Sequence, residues 1–156
     1  MQTIRPANSN DAAAILAIQK RAFEDEARLC GDPEIPPLTE TLDAVLAHIE
    51  TQTVLAACDG EQVIGSVRGL VSGTVCTIRG LSIEPGYQGR GIGTALLLEV
   101  ERAHPLATSF ALNTNAAMQG NVRFYRRHGY AIAALTQYSE RITLASMSKP
   151  GVAADA

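Results

Sequence analysis

The 156-residue chain is poor in metal-ligating and cross-linking residues. Its three cysteines, Cys30, Cys58 and Cys76, are odd in number and widely spaced, which argues against a disulfide framework and gives no zinc-ligand spacing. His48, His104 and His128 are equally scattered, so no metal is expected. No lysine lies between Lys20 and Lys149, which removes the P-loop, whose glycine run must end in Gly-Lys-Ser/Thr. Apolar runs such as "TALLLEV" are far short of a membrane span. The N-terminus, "MQTIRPANSND", lacks the basic-then-apolar pattern of a signal peptide. No membrane association is expected, and the cytoplasm is the default location. An excess of positive charge is also missing. The net charge of −3 argues against a nucleic-acid partner.

What is present fits a soluble globular chain, with 46% hydrophobic and 19% charged residues, and the length suits one domain with a core. The charge is unevenly spread. Up to residue 50 there are nine acids against four bases, and beyond it nine bases against seven acids. The acidic half includes Glu24, Asp25, Glu26 and Glu34, and it is expected to attract cations unless these acids form only a solvated helix face.

Residues Thr3–Ala7 read as a strand. "SNDAAAILAIQKRAF" reads as a helix capped by Ser9 or Asn10, with Asp11 in its first turn. "GDPEIPP" breaks the chain, and "LTETLDAVLAHIE" restarts a helix with Leu42, Val45, Leu46 and Ile49 on one face. From Thr51 the period changes to that of strands. Asp59-Gly60 and Ser72-Gly73 are hairpin dipeptides that divide three antiparallel strands at about 52–58, 62–70 and 74–83. A helix to about His104 is stopped by Pro105; "TSFALN" is a strand; "MQGNVRFYRRHG" is a helix closed by Gly129; and "YAIAALTQY" and "RITLASMS" form a final strand pair. The fold class is mixed α/β (α+β): one domain over residues 1–148, followed by a flexible tail, 149–156.

The stretch "YQGRGIGTALLLEVE" places Gly89, Gly91 and Gly93 at alternate positions just before a helix. Free backbone N–H groups at a helix N-terminus form an anion site. A Rossmann fingerprint would need a third glycine at Thr94 and an early parallel βαβ unit. "LSIEPGYQGRGIGTALLLEVE" instead resembles the acetyl-coenzyme A motif of the GNAT superfamily of N-acetyltransferases. Ile83-Glu84-Pro85 ends the strand, and Gln88, Gly91 and Gly93 fill the Q/R-x-x-G-x-G/A pattern. "IRPANSNDAAAILAIQKRAF" is similar to the family's first strand and helix, and "NVRFYRRHGYAIA" to its later helix. The resemblance covers about Thr3 to Ser148. It implies a central, mostly antiparallel twisted sheet of about six to seven strands flanked by about four helices.

The resemblance also implies roles. Backbone amides of Gln88, Gly89, Arg90, Gly91, Ile92, Gly93 and Thr94 would bind the pyrophosphate of acetyl-CoA, the acetyl donor. The Thr94 hydroxyl and the Arg90 side chain could add contacts, although Arg90 also reads as an exposed arginine beside a turn. Leu81, Ser82 and Ile83 would pair their backbone with the pantetheine arm as a pseudo-strand. Tyr125 would be the general acid that protonates the leaving thiolate; taken alone it reads as a half-buried tyrosine on an amphipathic helix. Many family members carry an asparagine where this chain has Met118, and Asn115 or Asn121 is expected to serve instead. Arg123, Arg126 and Arg127 either meet cofactor phosphates or form a solvated basic helix end. A backbone N–H near Ile83 would hold the oxyanion.

No residue is identified as general base. Glu84 sits next to a proline at a turn, and Asn113, where some relatives carry a glutamate, cannot accept the proton, so deprotonation through water is expected. The implied activity is transfer of an acetyl group to a primary amine of a small molecule, peptide or protein by direct attack in a ternary complex. The acidic first half favours a cationic acceptor. The alternative is a degenerate acetyl-CoA-binding sensor or interaction module, and the resemblance also admits a homodimer.

Overall fold

The computed structural model describes residues 2–155. Met1 and Ala156, the ends of the expected domain and tail, lie outside the described residues. The chain begins with strand β1 (Gln2–Pro6), helix α1 (Ala12–Ala22), helix α2 (Glu24–Cys30), the short helix α3 (Pro36–Thr39) and helix α4 (Leu42–Thr51). Strands β2 (Thr53–Asp59), β3 (Gln62–Ser72) and β4 (Val75–Ile83) follow. Helix α5 (Ile92–Arg102), strand β5 (Ser109–Asn115), helix α6 (Gln119–Arg127) and strands β6 (Ala131–Gln137) and β7 (Thr143–Pro150) complete the order. The seven strands form one sheet in the order β1-β2-β3-β4-β5-β7-β6. Every pairing is antiparallel except β4 with β5. No described helix is long and apolar enough to cross a membrane.

The apolar run of β2 is explained by burial on both faces. Val54, Ala56 and Cys58 pack with Ile15 and Ile18 of α1 and Val45 of α4, while Leu55 and Ala57 face the opposite cluster. That second cluster is centred on Leu96, Leu97 and Val100 of α5, all fully buried, with Ile64, Val67, Phe110 and Met147. Each such side chain contributes roughly 1.5–3 kcal/mol of transfer free energy. A third, smaller cluster of Ala27, Ile35 and Ile142 holds α2 and the 35–37 segment against the start of β7.

Both hairpin turns form where the dipeptides predict them, with Gly60 at φ +62 and Gly73 at φ +61. The start of the first helix differs. Asn8, not Ser9 or Asn10, is the cap: its side chain accepts from the Asn10 N–H at 2.9 Å, and Asp11 accepts from the Asn8 N–H at 2.8 Å. Asp11 also takes a two-pronged hydrogen bond from Arg5 of β1 at 2.7 and 2.9 Å. That pairing holds its carboxyl below the usual range. The expected single first helix is divided at Phe23 into α1 and α2, and Pro36-Pro37 begins a short helix where only a break was expected. The described residues hold six α-helices, of which α2 and α3 are short, around the expected mostly antiparallel sheet of a mixed α/β fold.

The C-terminal boundary also moves. Strand β7 runs to Pro150, which pairs with Ser109, and the Gly151 N–H donates to the Thr108 carbonyl at 2.9 Å. Gly151 is buried, and an added Cβ would meet the Ala107 carbonyl oxygen at 2.0 Å, so only glycine fits there. Lys149 and Pro150 are therefore part of β7 rather than of a free tail, and Gly151 is tied to the segment before β5.

Candidate active site

The site originates in one defect of the sheet. Strands β4 and β5 pair only over Val75–Thr77 and Ser109–Ala111, although both run on. Between the pairs Ser66↔Ser82 and Arg68↔Arg79, β3 contributes one residue and β4 contributes two, Gly80 and Leu81. Gly80 has φ +66, as expected where a glycine in the left-handed region carries the extra residue of a bulge. The bulge bends β4 away from β5 and opens a cavity of about 870 Å³. Beyond Thr77, β4 has no partner on its β5 side among the described residues.

At the end of β4 the chain enters the glycine turn. Gly89 (φ +78) and Gly91 (φ +82) both lie in the left-handed region, and Gly91 is the residue before the first turn of α5. The first helical hydrogen bond runs from the Ala95 N–H to the Gly91 carbonyl. The six consecutive N–H groups of residues 89–94 have no hydrogen-bond partner among the described residues. A Cβ added at Gly89 or Gly91 would meet nothing within 4 Å, so the turn is open on its outer side. Gly93 differs. Its φ is not positive, and a Cβ there would lie 3.6 Å from the Phe124 ring, which packs α5 against α6. The turn thus combines unpaired donors with the positive end of an eleven-residue helix, the arrangement that binds phosphate oxygens. These residues fit the coenzyme that the sequence implies.

Leu81, Ser82, Ile83, Gln88, Gly89, Gly91, Ile92, Gly93, Thr94, Asn121 and Tyr125 all line the cavity. The Gln88 side chain donates to the Ile83 carbonyl at 3.2 Å, which ties the turn to the strand end. Arg90 does not line the cavity; its guanidinium lies 5.0 Å from the centre of the Tyr87 ring. Tyr87 in turn donates to Asp59 at 3.0 Å. Asn115 is buried, accepts from the Ala117 N–H at 3.0 Å and so holds the turn into α6. Asn121 is exposed, with its amide free of partners among the described residues. Of the three helix arginines, Arg127 lines the cavity and Arg123 and Arg126 do not.

Tyr125 lies on the wall of the cavity between the glycine turn and α2, with its ring edge-on to Phe124 (5.2 Å) and Tyr130 (5.9 Å). Burial, reinforced by the nearby Glu26 carboxylate, pushes its phenol up to about 12. The proton therefore stays on Oη at neutral pH. Glu26 faces the same cavity from α2, half-buried, and burial raises its carboxyl above the usual range. Glu84 is held elsewhere, accepting from Arg21 at 2.9 and 3.1 Å. Asn113 lines the cavity and accepts from the Ser146 hydroxyl at 2.8 Å. Among the described residues no three His, Cys, Asp or Glu side chains converge on a metal position.

The acidic group read from the sequence divides in space. Glu24 and Asp25 form ion pairs with Arg28 along α2, Glu34 does not line the cavity, and only Asp25 and Glu26 reach it. Sequence reasoning counted Glu26 as part of a charged patch and did not single it out as a proton acceptor. It missed the other cavity groups, Glu40, Arg68, Arg79 and Tyr138, altogether.

Comparison with known proteins agrees with this geometry. Residues 50–132 match the acetyltransferase (GNAT) domain family. A search of curated proteins returns no match. Similar solved structures include the ribosomal-protein-S18-alanine N-acetyltransferase of Escherichia coli, with a TM-score of 0.79 at 18% identity over 96% of this chain and 94% of that one. The PaiA N-acetyltransferase of Thermoplasma acidophilum, solved with coenzyme A, has a TM-score of 0.79 at 16% identity over 96% and 99% of the two chains. A phosphinothricin acetyltransferase of Sinorhizobium meliloti, solved with acetyl-CoA, has a TM-score of 0.78 at 18% identity over 97% and 91%. The matched segment spans the bulged strand, the glycine turn, α5 and α6, which contribute much of the cavity wall, and the chain belongs to the GNAT acetyltransferase family.

Proposed function

We propose that the protein transfers an acetyl group from acetyl-CoA to a primary amine, by direct attack with both substrates bound. The observation that carries this reading is the run of six unpaired N–H groups at residues 89–94, whose residues, all but Arg90, line the same cavity as Tyr125 and Glu26. Residues 88–94 would hold the pyrophosphate, and the unpaired side of Leu81-Ser82-Ile83 would take the amide-bearing arm as an added strand. Bound there, acetyl-CoA supplies an acetyl group activated as a thioester.

The remaining chemistry is proton handling by this chain. Glu26 accepts the proton of the incoming ammonium on its carboxylate, directly or through one water, which supplies the base that the motif lacks. Its raised carboxyl value brings it nearer the working range of a general base. Tyr125 keeps its proton on Oη and is positioned to give it to a leaving group.

The test combines calorimetric titration of acetyl-CoA with free-thiol release across a panel of primary amines. Binding together with amine-dependent thiol release is the expected result. Binding without release by any amine would favour a sensor, and absence of binding would contradict the reading.

A further inference from the structure

Acetyl transfer gives no task to the part of the cavity wall made by Arg68 and Arg79. These residues are directly opposite one another on β3 and β4, at the edge of the Gly80 bulge, and both line the cavity. Like charges facing each other across a strand pair are unfavourable. The compensation on hand is incomplete. The Glu40 Oε1 lies 3.6 Å from Arg68 Nη1 and 3.5 Å from His48 Nδ1 and makes no hydrogen bond to either. The Arg68 Nε is also buried without a partner, and its side chain is only 16% exposed. Arg79 is exposed and has no ion pair among the described residues.

Arg68 is enclosed at the bulge. Its Nη1 sits where a Cβ on Gly80 would come within 2.7 Å, so the bulge glycine leaves room for the guanidinium. The Gln19 side chain lies beside it and donates to the Pro37 carbonyl at 3.1 Å, linking this corner to α3. The result is a pair of guanidinium groups, one enclosed and one exposed, with a single carboxylate, Glu40, beside the enclosed one and shared there with His48. Unsatisfied charge kept in a cavity wall is costly, and such exceptions cluster where a ligand completes the set. The planar fork of arginine matches a carboxylate. Glu26 and Asp25 supply the opposite charge from α2 in the same cavity.

We propose that the acceptor is a carboxylate-bearing primary amine of the amino-acid class, whose carboxylate is taken by Arg79 with Arg68 and whose ammonium faces Glu26. This rests on the acetyltransferase reading and narrows it. A purely cationic acceptor would leave the arginine pair unmatched and place like charge against it.

The test is kcat/KM for thiol release from acetyl-CoA with amine pairs that differ only in the carboxylate: phenylalanine and phenethylamine, tyrosine and tyramine, lysine and cadaverine, ornithine and putrescine. The carboxylated member of at least one pair should be favoured about tenfold or more, the scale of one charge-assisted hydrogen bond. Arg79→Gln should erase that preference through KM for the amine while the affinity for acetyl-CoA stays as in the wild type. Arg79→Lys should restore part of it. Arg79 is exposed, so these variants should fold; a thermal melt like that of the wild type checks it. Equal or better turnover of every decarboxylated partner, or a preference untouched by Arg79→Gln, would overturn the proposal and leave the acetyltransferase reading standing. The same holds if acetyl-CoA binds and only the decarboxylated amines react. Failure of acetyl-CoA to bind would overturn both.

Discussion

The cavity has two halves built on different principles. The half at the glycine turn is made of backbone: its donors are N–H groups, and side chains matter chiefly by their absence at Gly89 and Gly91. The half beneath α2 and the β3–β4 pair is made of side chains, Glu26, Glu40, Arg68 and Arg79, which come from three different elements and the link between α3 and α4. Backbone recognition suits a ligand that is always the same, because it tolerates any sequence that keeps the turn open. Side-chain recognition suits a ligand that must be distinguished from others, because each charge can change without loss of the fold. The donor half is therefore read as the general part of the site and the acceptor half as the specific part.

The sharpest way to break this comparison is to place a side chain where the backbone half has none. Gly91→Glu puts a carboxylate at φ +82, beside the unpaired amides. Acetyl-CoA affinity should fall more than a hundredfold by calorimetry, from charge repulsion and loss of close approach. The left-handed position adds a fold cost of about 1–2 kcal/mol. Tyr125→Phe comes next. It should lower kcat by about a hundredfold, at the low end for a general acid, with acetyl-CoA affinity unchanged.

Glu26→Gln probes the side-chain half in two ways. The carboxylate must be ionised to accept a proton, so kcat/KM should rise with pH through its raised value. That limb should vanish in the variant, leaving only the ionisation of the amine itself. The stability effect has the opposite sense. A carboxyl raised by burial favours the folded state while protonated, and that contribution is lost as pH rises through the folded value. Glu26→Gln should then melt higher than the wild type at pH 7, with the difference shrinking toward pH 4.

Outside both halves, Asp11→Ala removes the Asn8 cap interaction and the Arg5 pair. It should cost about 1–3 kcal/mol in denaturant unfolding, most of it gone at acid pH, where the depressed carboxyl is protonated and its contribution is already lost. The KM values should not change. The smallest effect is expected of Arg90→Ala. Its side chain stacks on Tyr87 instead of facing the cavity, so acetyl-CoA affinity should change by less than about threefold, the scale of an exposed cation–π contact.

The same division explains what could be read in advance. A backbone site needs contiguous residues of special conformation, so the turn, α5 and the preceding strand are legible from the one stretch "LSIEPGYQGRGIGTALLLEVE". The hairpins were equally legible, because Gly60 and Gly73 carry turn information locally. The side-chain site depends on which residues meet across the sheet. Glu26 and Tyr125 are 99 positions apart, and no local pattern links them. Arg68 and Arg79 did carry a signal. Counting back from the turn after Ser72 in an unbroken hairpin sets them opposite each other, as the structure does. What the count could not supply is the bulge at Gly80, which opens the cavity beside them. The split between α1 and α2 escaped for a related reason: Phe23 fits a helical pattern, and the new helix axis is set by packing of Ala27 against Ile35 and Ile142.

The central claim is that the unpaired amides of residues 89–94 are the acetyl-CoA site. Amide resonances of the labelled protein, followed by two-dimensional NMR as acetyl-CoA is added, address it directly. The account predicts that the Gly89, Gly91, Ile92 and Gly93 amides show the largest shifts, saturating together at one equivalent, while the Gly60 and Gly73 hairpin amides stay in place. Shifts that leave the 89–94 amides unmoved while the ligand binds elsewhere would contradict it.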